Sequence, residues 1–573
     1  MTWTTSERKY GVTVERDVRI PMSDGTEIDC DIFLPDGGGK HPAILGLSPY
    51  RKAAQSGPIA VSPISTHGSI LPGQEKATGY IEAGDPNFLV RRGYVQIIAN
   101  VRGSGKSGGT FSPWGPQEVQ DGVGIIDWIS RQPWCDGNVG MFGVSYFGII
   151  QPLIAAQNPP ALKCIFAPWA LSDLYRDSVY HGGILGHGFW RVWTLGSLWN
   201  ARLESYSREK LGDAGFQEAV ARLLSDGDIS EVPELVQVLK YPDLGANSLL
   251  VDFLVNSLDG PFWAERRTDY DAVKVPAYLG ADWNTYGIHL PGAFRNWENL
   301  NVPKKMIIGP PAYLDRPLYQ LQYESLRWFD YWLKGIDTGI MEEPPVRLFV
   351  MNTGQWKEAT DWPLPDTRWT PFYLHERGLL SEHELWPNEG ADSYPDSPWG
   401  RGSLEYSSPP LVEETEVIGP IVLDLYASST DSDALFFISL REVDPAGNER
   451  VLTRGWLRGS HRAIDPARSR PWAPYHPHDK VEPLTPNEIY EFQVPLVPTG
   501  NLFRAGSRIK IKVCGFDDPP KNPLESIAAG HITRQSPSRV TVYHDDDHPS
   551  ALILPITKGN IIGTYITGGK PFI

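Results

Sequence analysis

Between residues 14 and 168, short apolar runs alternate with stretches of helical period, and no other feature restricts the folds open to this chain as much. Residues 42–47 (PAILGL), 94–101 (YVQIIANV), 138–142 and 162–167 have the length and apolar continuity of strands buried on both faces. Residues 86–92 read as a short helix, and 117–131 place Val119, Val123, Ile126 and Ile129 on one side of a longer one. A further helix runs from the glycine-flanked Ser145 towards Ala156. Ahead of these, 18–21 and 28–34 flank Ser23-Asp24-Gly25 as the arms of a hairpin. Repeated βα units of this size predict a parallel sheet with helices on both faces.

The pattern changes twice along the chain. Phe216, Val220, Leu223 and Leu224, then Leu235, Val238 and Leu239, keep helical spacing, whereas strand-like runs return at 275–279 and 305–308. A helical insertion therefore interrupts the sheet, in the place of a cap. From about Pro345 the period is two: Phe436, Ile438 and Leu440 alternate with Phe437, Ser439 and Arg441, and Ile509, Ile511 and Val513 alternate with Lys510 and Lys512. Such strands, parted by Pro, Gly and Asp turns, predict a β-sandwich. The resulting division is 1–170 and 272–344 for the two parts of an α/β core, 171–271 for a helical cap and 345–573 for a β-domain.

Composition narrows the function classes. Of 573 residues, 52 are Lys or Arg and 69 are Asp or Glu, a net charge of -17 that repels phosphate backbones, and no basic patch offsets it. No apolar run reaches the ~20 residues of a membrane helix, and the first ten residues contain no apolar signal core. The four cysteines are widely spaced, without a C-x-x-C pair, as in a reducing compartment. The expectation is a cytoplasmic protein that binds neither nucleic acid nor membrane, with the oligomeric state open and a homodimer as one outcome.

The strongest local signal is Gly143-Val144-Ser145-Tyr146-Phe147-Gly148. A serine on a tight strand-to-helix turn projects its hydroxyl above the sheet, and the following helix aims its first N–H groups at the same point. These groups can hold negative charge developing on oxygen. The simple G-x-S-x-G spacing is not met, because Phe147 takes the last position and glycine follows one residue later.

With Ser48-Pro49-Tyr50-Arg51-Lys52, Arg102-Gly103-Ser104-Gly105, Asp173-Leu174-Tyr175-Arg176-Asp177, Gly182-Gly183 and Trp328-Phe329-Asp330-Tyr331-Trp332-Leu333-Lys334-Gly335, the chain resembles, over nearly its whole length, the cocaine-esterase-like and X-prolyl dipeptidyl peptidase-like (CocE/NonD) α/β-hydrolases. The resemblance implies an α/β-hydrolase core, a helical cap insertion and a C-terminal jelly-roll-like β-domain opening at Pro345-Val346-Arg347. It implies Ser145 as nucleophile, with the Tyr50 hydroxyl and the Tyr146 backbone N–H as the oxyanion hole; no cofactor or metal is expected. The family's acid and base do not carry over: Thr285 stands at the Asp position and Tyr313 at the His position, and no His lies between His289 and His375.

A serine hydroxyl needs a base. The candidates are His289 and Asp282 near the end of the strand at 275–279, and His181 and His187 in the cap; Trp283 and Tyr313 complete the expected binding residues. Trp190, Trp193 and Trp199 either line a pocket or pack the cap. His476-Pro477-His478 and His544 to His548 read as solvated polar turns rather than metal sites, and Gly103-Ser104-Gly105-Lys106-Ser107 lacks the leading glycine of a phosphate loop. The reading is an enzyme acting on a small-molecule ester or amide through Ser145 with a non-standard base. The alternatives are a cyclase, isomerase, lyase or decarboxylase using the same pocket, and a non-catalytic binder.

Overall fold

The computed structural model describes residues 4–52, 82–198, 200–310, 317–383, 390–518 and 530–561. Strands β1 (Val12–Pro21), β2 (Glu27–Pro35), β3 (His41–Ser48), β4 (Val95–Asn100), β5 (Cys135–Phe142) and β6 (Leu162–Pro168) alternate with helices α1 (Pro86–Leu89), α2 (Pro116–Ser130) and α3 (Tyr146–Ala155). The cap follows as a small hairpin, β7 (Tyr180–His181) and β8 (Ile184–Leu185), and six helices: α4 (Gly188–Ser197), α5 (Tyr206–Leu224), α6 (Gly227–Ser230), α7 (Pro233–Lys240), α8 (Asn247–Val255) and α9 (Pro261–Ala264). The core resumes with β9 (Ala277–Asp282), α10 (Leu290–Asn299), β10 (Lys304–Gly309), α11 (Pro317–Lys334), β11 (Val346–Val350) and β12 (Gln355–Ala359).

The core sheet runs in the order β1-β2-β4-β3-β5-β6-β9-β10-β11-β12. Neighbours from β4 through β11 are parallel, and the two edges are closed by antiparallel pairs. Alternate strand residues serve opposite layers. Leu45, Met141, Ile165 and Leu279 join the α2 residues Ile125, Ile126 and Ile129 on one face. Ile44, Phe142, Phe166 and Tyr278 join Trp328, Phe329 and Leu333 of α11 on the other. This two-faced burial is what makes the runs apolar throughout.

The β-domain comprises β13 (Arg368–His375), β14 (Leu379–Ser381), β15 (Ala391–Asp396), β16 (Ser403–Ser407), β17 (Thr415–Ser429), β18 (Leu435–Val443), β19 (Glu449–Arg458), β20 (Tyr490–Phe503), β21 (Arg508–Cys514), β22 (Ser538–Tyr543) and β23 (Ala551–Lys558). Hydrogen bonding passes from β17 through β20, β19, β18, β21, β16, β14, β13 and β23, and back to β17. The jelly-roll-like domain is thus a barrel-like closed sheet rather than two separate layers. Ile509, Ile511 and Val513 turn inward and Lys510 and Lys512 outward, in agreement with the period of two.

One assignment differs from the sequence reading. Residues 346–359, placed at the head of the β-domain, extend the core sheet, with Met306 beside Val346 and Ile308 beside Leu348. Period-two patterning identifies a strand but not the sheet it joins. Just beyond β11, Met351 N–H donates to Gly500 O (2.9 Å) and Met351 O accepts from Leu502 N–H (3.2 Å), both on β20.

Candidate active site

Ser145 follows β5 and caps α3, with φ 59° and ψ -123°. A serine at positive φ is strained, and such strain persists where the surroundings over-determine it. Here they do. Gly143 has φ 147°, and a Cβ on it would lie 2.2 Å from Phe147 Cβ and 3.0 Å from Glu82 O. Gly148 passes β6 so closely that a Cβ would lie 2.9 Å from Pro168 O. Phe147 instead faces Gly46 of β3, where a Cβ would meet its ring at 3.2 Å. The glycine displaced by one position from the usual spacing therefore sits where the helix crosses β6, and the bulky residue sits where β3 leaves room. Gly148 and Ile149 N–H both donate to Ser145 O at 2.8 Å, starting the helix. Tyr146 N–H, in the first turn, is left facing outward from the helix end.

Tyr50 follows β3, its ring edge-on to Tyr146 at 5.9 Å, and its hydroxyl lies near the Ser145 side chain. Trp193 Nε1–H of α4 donates to the Tyr50 oxygen at 2.9 Å. That occupies a lone pair and leaves the phenol proton for an oxygen bound beside it. Burial, then the nearby Glu82 carboxylate, push the Tyr50 phenol far above its usual range, so it remains a donor. Trp193 also lies nearly parallel to Trp114 (5.6 Å, 18°) and Tyr146 (6.2 Å, 15°), forming an aromatic wall over the elbow. Trp190 meets this wall edge-on. Trp199 lies outside the described residues.

Two buried glutamates that the sequence did not single out support this arrangement. Glu118, in the first turn of α2, accepts from the Tyr146 hydroxyl at 2.8 Å and from Trp114 N–H at 2.7 Å. Glu82 accepts from Val144 N–H through its backbone oxygen at 3.0 Å. Burial pushes each carboxyl up to about 8. A glutamate in a first helical turn reads locally as a solvated cap residue, and only tertiary burial distinguishes it.

The turn after β9 holds the remaining candidates. Asp282 Oδ2 accepts from Trp169 Nε1–H at 2.6 Å, its Oδ1 accepts from Asn284 N–H at 2.9 Å, and burial pushes its carboxyl up to about 7. Thr285 Oγ1 donates to Asp282 O at 2.9 Å, as a neutral turn residue. Trp283 points into the seam with the β-domain, where Nε1–H donates to Phe349 O at 2.6 Å and the ring packs on Gly500, and so is a packing residue. His289 caps α10, is buried, and has its pKa pushed down to about 3 by burial. β6 separates its strand from that of Ser145. Tyr313 lies outside the described residues.

His181 of the cap is held against the β-domain. His181 Nδ1 meets His531 Nε2 at 2.7 Å, its ring stacks on Trp456 at 4.5 Å, and burial lowers its pKa to about 3. His187 caps α4 with a pKa lowered to about 4 by burial. His476, His478 and His544 are buried rather than solvated, at 4%, 5% and 5% exposure. Polar neighbours in sequence hide this, because the cover comes from elsewhere: Arg176 of the cap donates to His476 O at 3.0 Å and to Pro477 O at 2.7 Å. Among the described residues no three His, Cys, Asp or Glu side chains cluster as metal ligands, and no helix is long and apolar enough to cross a membrane.

Comparison with known proteins fits this geometry. Residues 24–313 match the model of the X-Pro dipeptidyl-peptidase (S15 family), and 338–553 match that of the X-Pro dipeptidyl-peptidase C-terminal non-catalytic domain. Cocaine esterase of a Rhodococcus species is 27% identical over 610 residues, covering 95% of this chain and 99% of that one. The crystal structure of a CocE/NonD family hydrolase from Staphylococcus aureus superimposes with TM-score 0.79 at 26% identity, over 97% of this chain and 99% of the other. An α-amino acid ester hydrolase, at 19% identity and TM-score 0.73 over 97% and 98% of the two chains, shares the fold. With an α/β-hydrolase core that presents a serine at the strand-to-helix turn and the matching β-domain behind it, this chain belongs to the X-Pro dipeptidyl-peptidase (S15) family of serine hydrolases.

Proposed function

We propose that the protein hydrolyses a small ester or amide through Ser145, with the Tyr50 phenol and the Tyr146 N–H as the oxyanion hole. The observation that carries this reading is the strained Ser145 at the strand-to-helix turn with the Tyr50 hydroxyl beside it. Attack of Oγ on the carbonyl carbon moves the carbonyl electron pair onto oxygen, and donors already aimed at that oxygen stabilise it without reorganising. The leaving alcohol or amine takes the serine proton, and water then releases the acid from the acyl-enzyme. The aromatic wall of Trp114, Tyr146 and Trp193 favours an acyl or leaving group with a flat apolar part.

The base is non-standard. Asp282, its carboxyl raised to about 7 by burial, and His289, lowered to about 3 by burial, are the candidates, and both lie at or just after the end of β9, one strand removed from the elbow. Labelling with a fluorophosphonate tests the nucleophile: mass added at Ser145, lost in Ser145→Ala, supports the reading, and no labelling at any site overturns it. A second reading, a non-hydrolytic carbonyl-polarising enzyme in the same pocket, is favoured by the neutral Thr285 at the acid position. Full turnover by Ser145→Ala on the true substrate would select it.

A further inference from the structure

A second cavity lies where the cap, α10 and the β-domain meet. Its volume is ≈ 590 Å³, within the ~300–1,000 Å³ usual for small-molecule sites. Ser145, Tyr50, Tyr146, Trp193, Asp282 and His289 do not line it. One wall is the segment 462–489 between β19 and β20, which contains neither helix nor strand after His461. Loops of more than ~12–15 residues without secondary structure are uncommon in compact domains, and an ordered one commonly serves binding.

The lining is cationic and aromatic. Five arginines face the cavity (Arg176, Arg267, Arg295, Arg468 and Arg470) against the carboxyls of Asp173 and Glu298. Three are neutralised locally: Arg176 and Arg267 by Asp173 and Asp259, and Arg468 by Asp465. The other two keep free donors. Arg295 is paired through its Nε–H with Asp177, at 3.0 Å, but neither of its Nη atoms has a hydrogen-bond partner among the described residues. The Arg470 guanidinium, on the 462–489 segment, makes no hydrogen bond or ion pair among the described residues. Glu298, exposed at the rim, forms no ion pair with either.

The aromatic surfaces beside these groups are held rigidly. Phe294 stacks on Trp362 at 4.2 Å, and Trp472 stacks on Trp369 at 5.1 Å and 8°. Both rings line the cavity. Planar guanidinium forks match a carboxylate in geometry and charge, and rigid aromatic walls match a flat apolar body.

We infer that this cavity is a second ligand site, which takes a small aromatic carboxylate between Arg295 and Arg470 and thereby ties α10 to the β-domain. Phenylacetate is a suitable probe, with the uncharged phenylacetamide as control. Titration calorimetry on the full-length protein should give one saturable phenylacetate site and a raised Tm, with no comparable binding of the amide. Arg470→Gln, at an exposed position, should weaken phenylacetate by about tenfold or more, the scale of one charge-assisted pair. Arg295→Lys, which keeps the charge beside Asp177 but loses the fork, should weaken it too, whereas Ser145→Ala should leave it unchanged. No saturable binding, equal binding of the amide, or affinity unaltered in both arginine variants would overturn the assignment.

Discussion

Trp193 in the cap donates its indole N–H to the hydroxyl of Tyr50 in the core at 2.9 Å, so the donor that faces Ser145 is oriented by an element outside the sheet. In the proposed oxyanion hole the cap therefore orients a donor and is not only a cover.

Replacing Trp193 by Phe keeps the aromatic wall and removes that one donor. A neutral hydrogen bond contributes about 0.5–1.5 kcal/mol, so kcat/KM on a nitrophenyl ester should fall about three- to tenfold. Tyr50→Phe should cost about 10²–10³, the scale of an oxyanion donor. The double variant should be no worse than Tyr50→Phe alone, because Trp193 acts through that hydroxyl. Additive losses would separate the two residues.

Gly148→Ala places a methyl 2.9 Å from Pro168 O, where a backbone atom of β6 cannot retreat cheaply. The expected loss is about 1–3 kcal/mol, as for other overpacked sites, read as a lower Tm by calorimetry. Gly196→Ala, in α4 with no atom within 4 Å of the added Cβ, is the control and should leave Tm unchanged or slightly higher.

The Glu118 carboxyl is raised from an ordinary 4.5 to about 8 by burial, so the folded state holds its proton more tightly than the unfolded chain. Stability from this group is complete below about pH 4.5 and is lost as pH rises towards 8. Urea midpoints measured from pH 5 to 8 should fall less steeply in Glu118→Gln than in the wild type. The same or a steeper slope in the variant would refute the burial argument.

Arg176 joins Asp173 (2.8 Å) and Asp259 (2.6 Å) to the backbone oxygens of His476 and Pro477 in the β-domain. Removing one partner of a buried ion pair costs about 3–5 kcal/mol. Arg176→Met should lower the urea midpoint accordingly and should broaden the transition, as core and β-domain begin to unfold separately.

Much of the architecture was legible because its signals are local. The apolar run at 42–47, the helical period of α2 and the serine between two glycines each follow from short-range geometry. The closed β-sheet, the transfer of Val346–Val350 to the core and the burial of His476 and His478 were not legible, because each depends on a partner far away in sequence. The candidate site divides in the same way. Ser145 and Tyr50 come from motifs, whereas Glu118 and Trp193 acquire their roles only when α2 and α4 are laid against the elbow. Trp283 fell on the wrong side of that line: its motif position suggested ligand contact, yet the turn after β9 aims it at Gly500.

The two backbone bonds between Met351 and β20 also bear on how the polypeptide can be divided. A fragment begun at residue 338, where the C-terminal family match starts, would carry off β11 and β12 and leave β10 as a raw border, open to pairing with neighbouring molecules. The upstream piece would then be prone to aggregation, and the downstream piece would trail a hairpin with nothing to lie against. The safer scissile point is after Ala359, on the far side of the stitch.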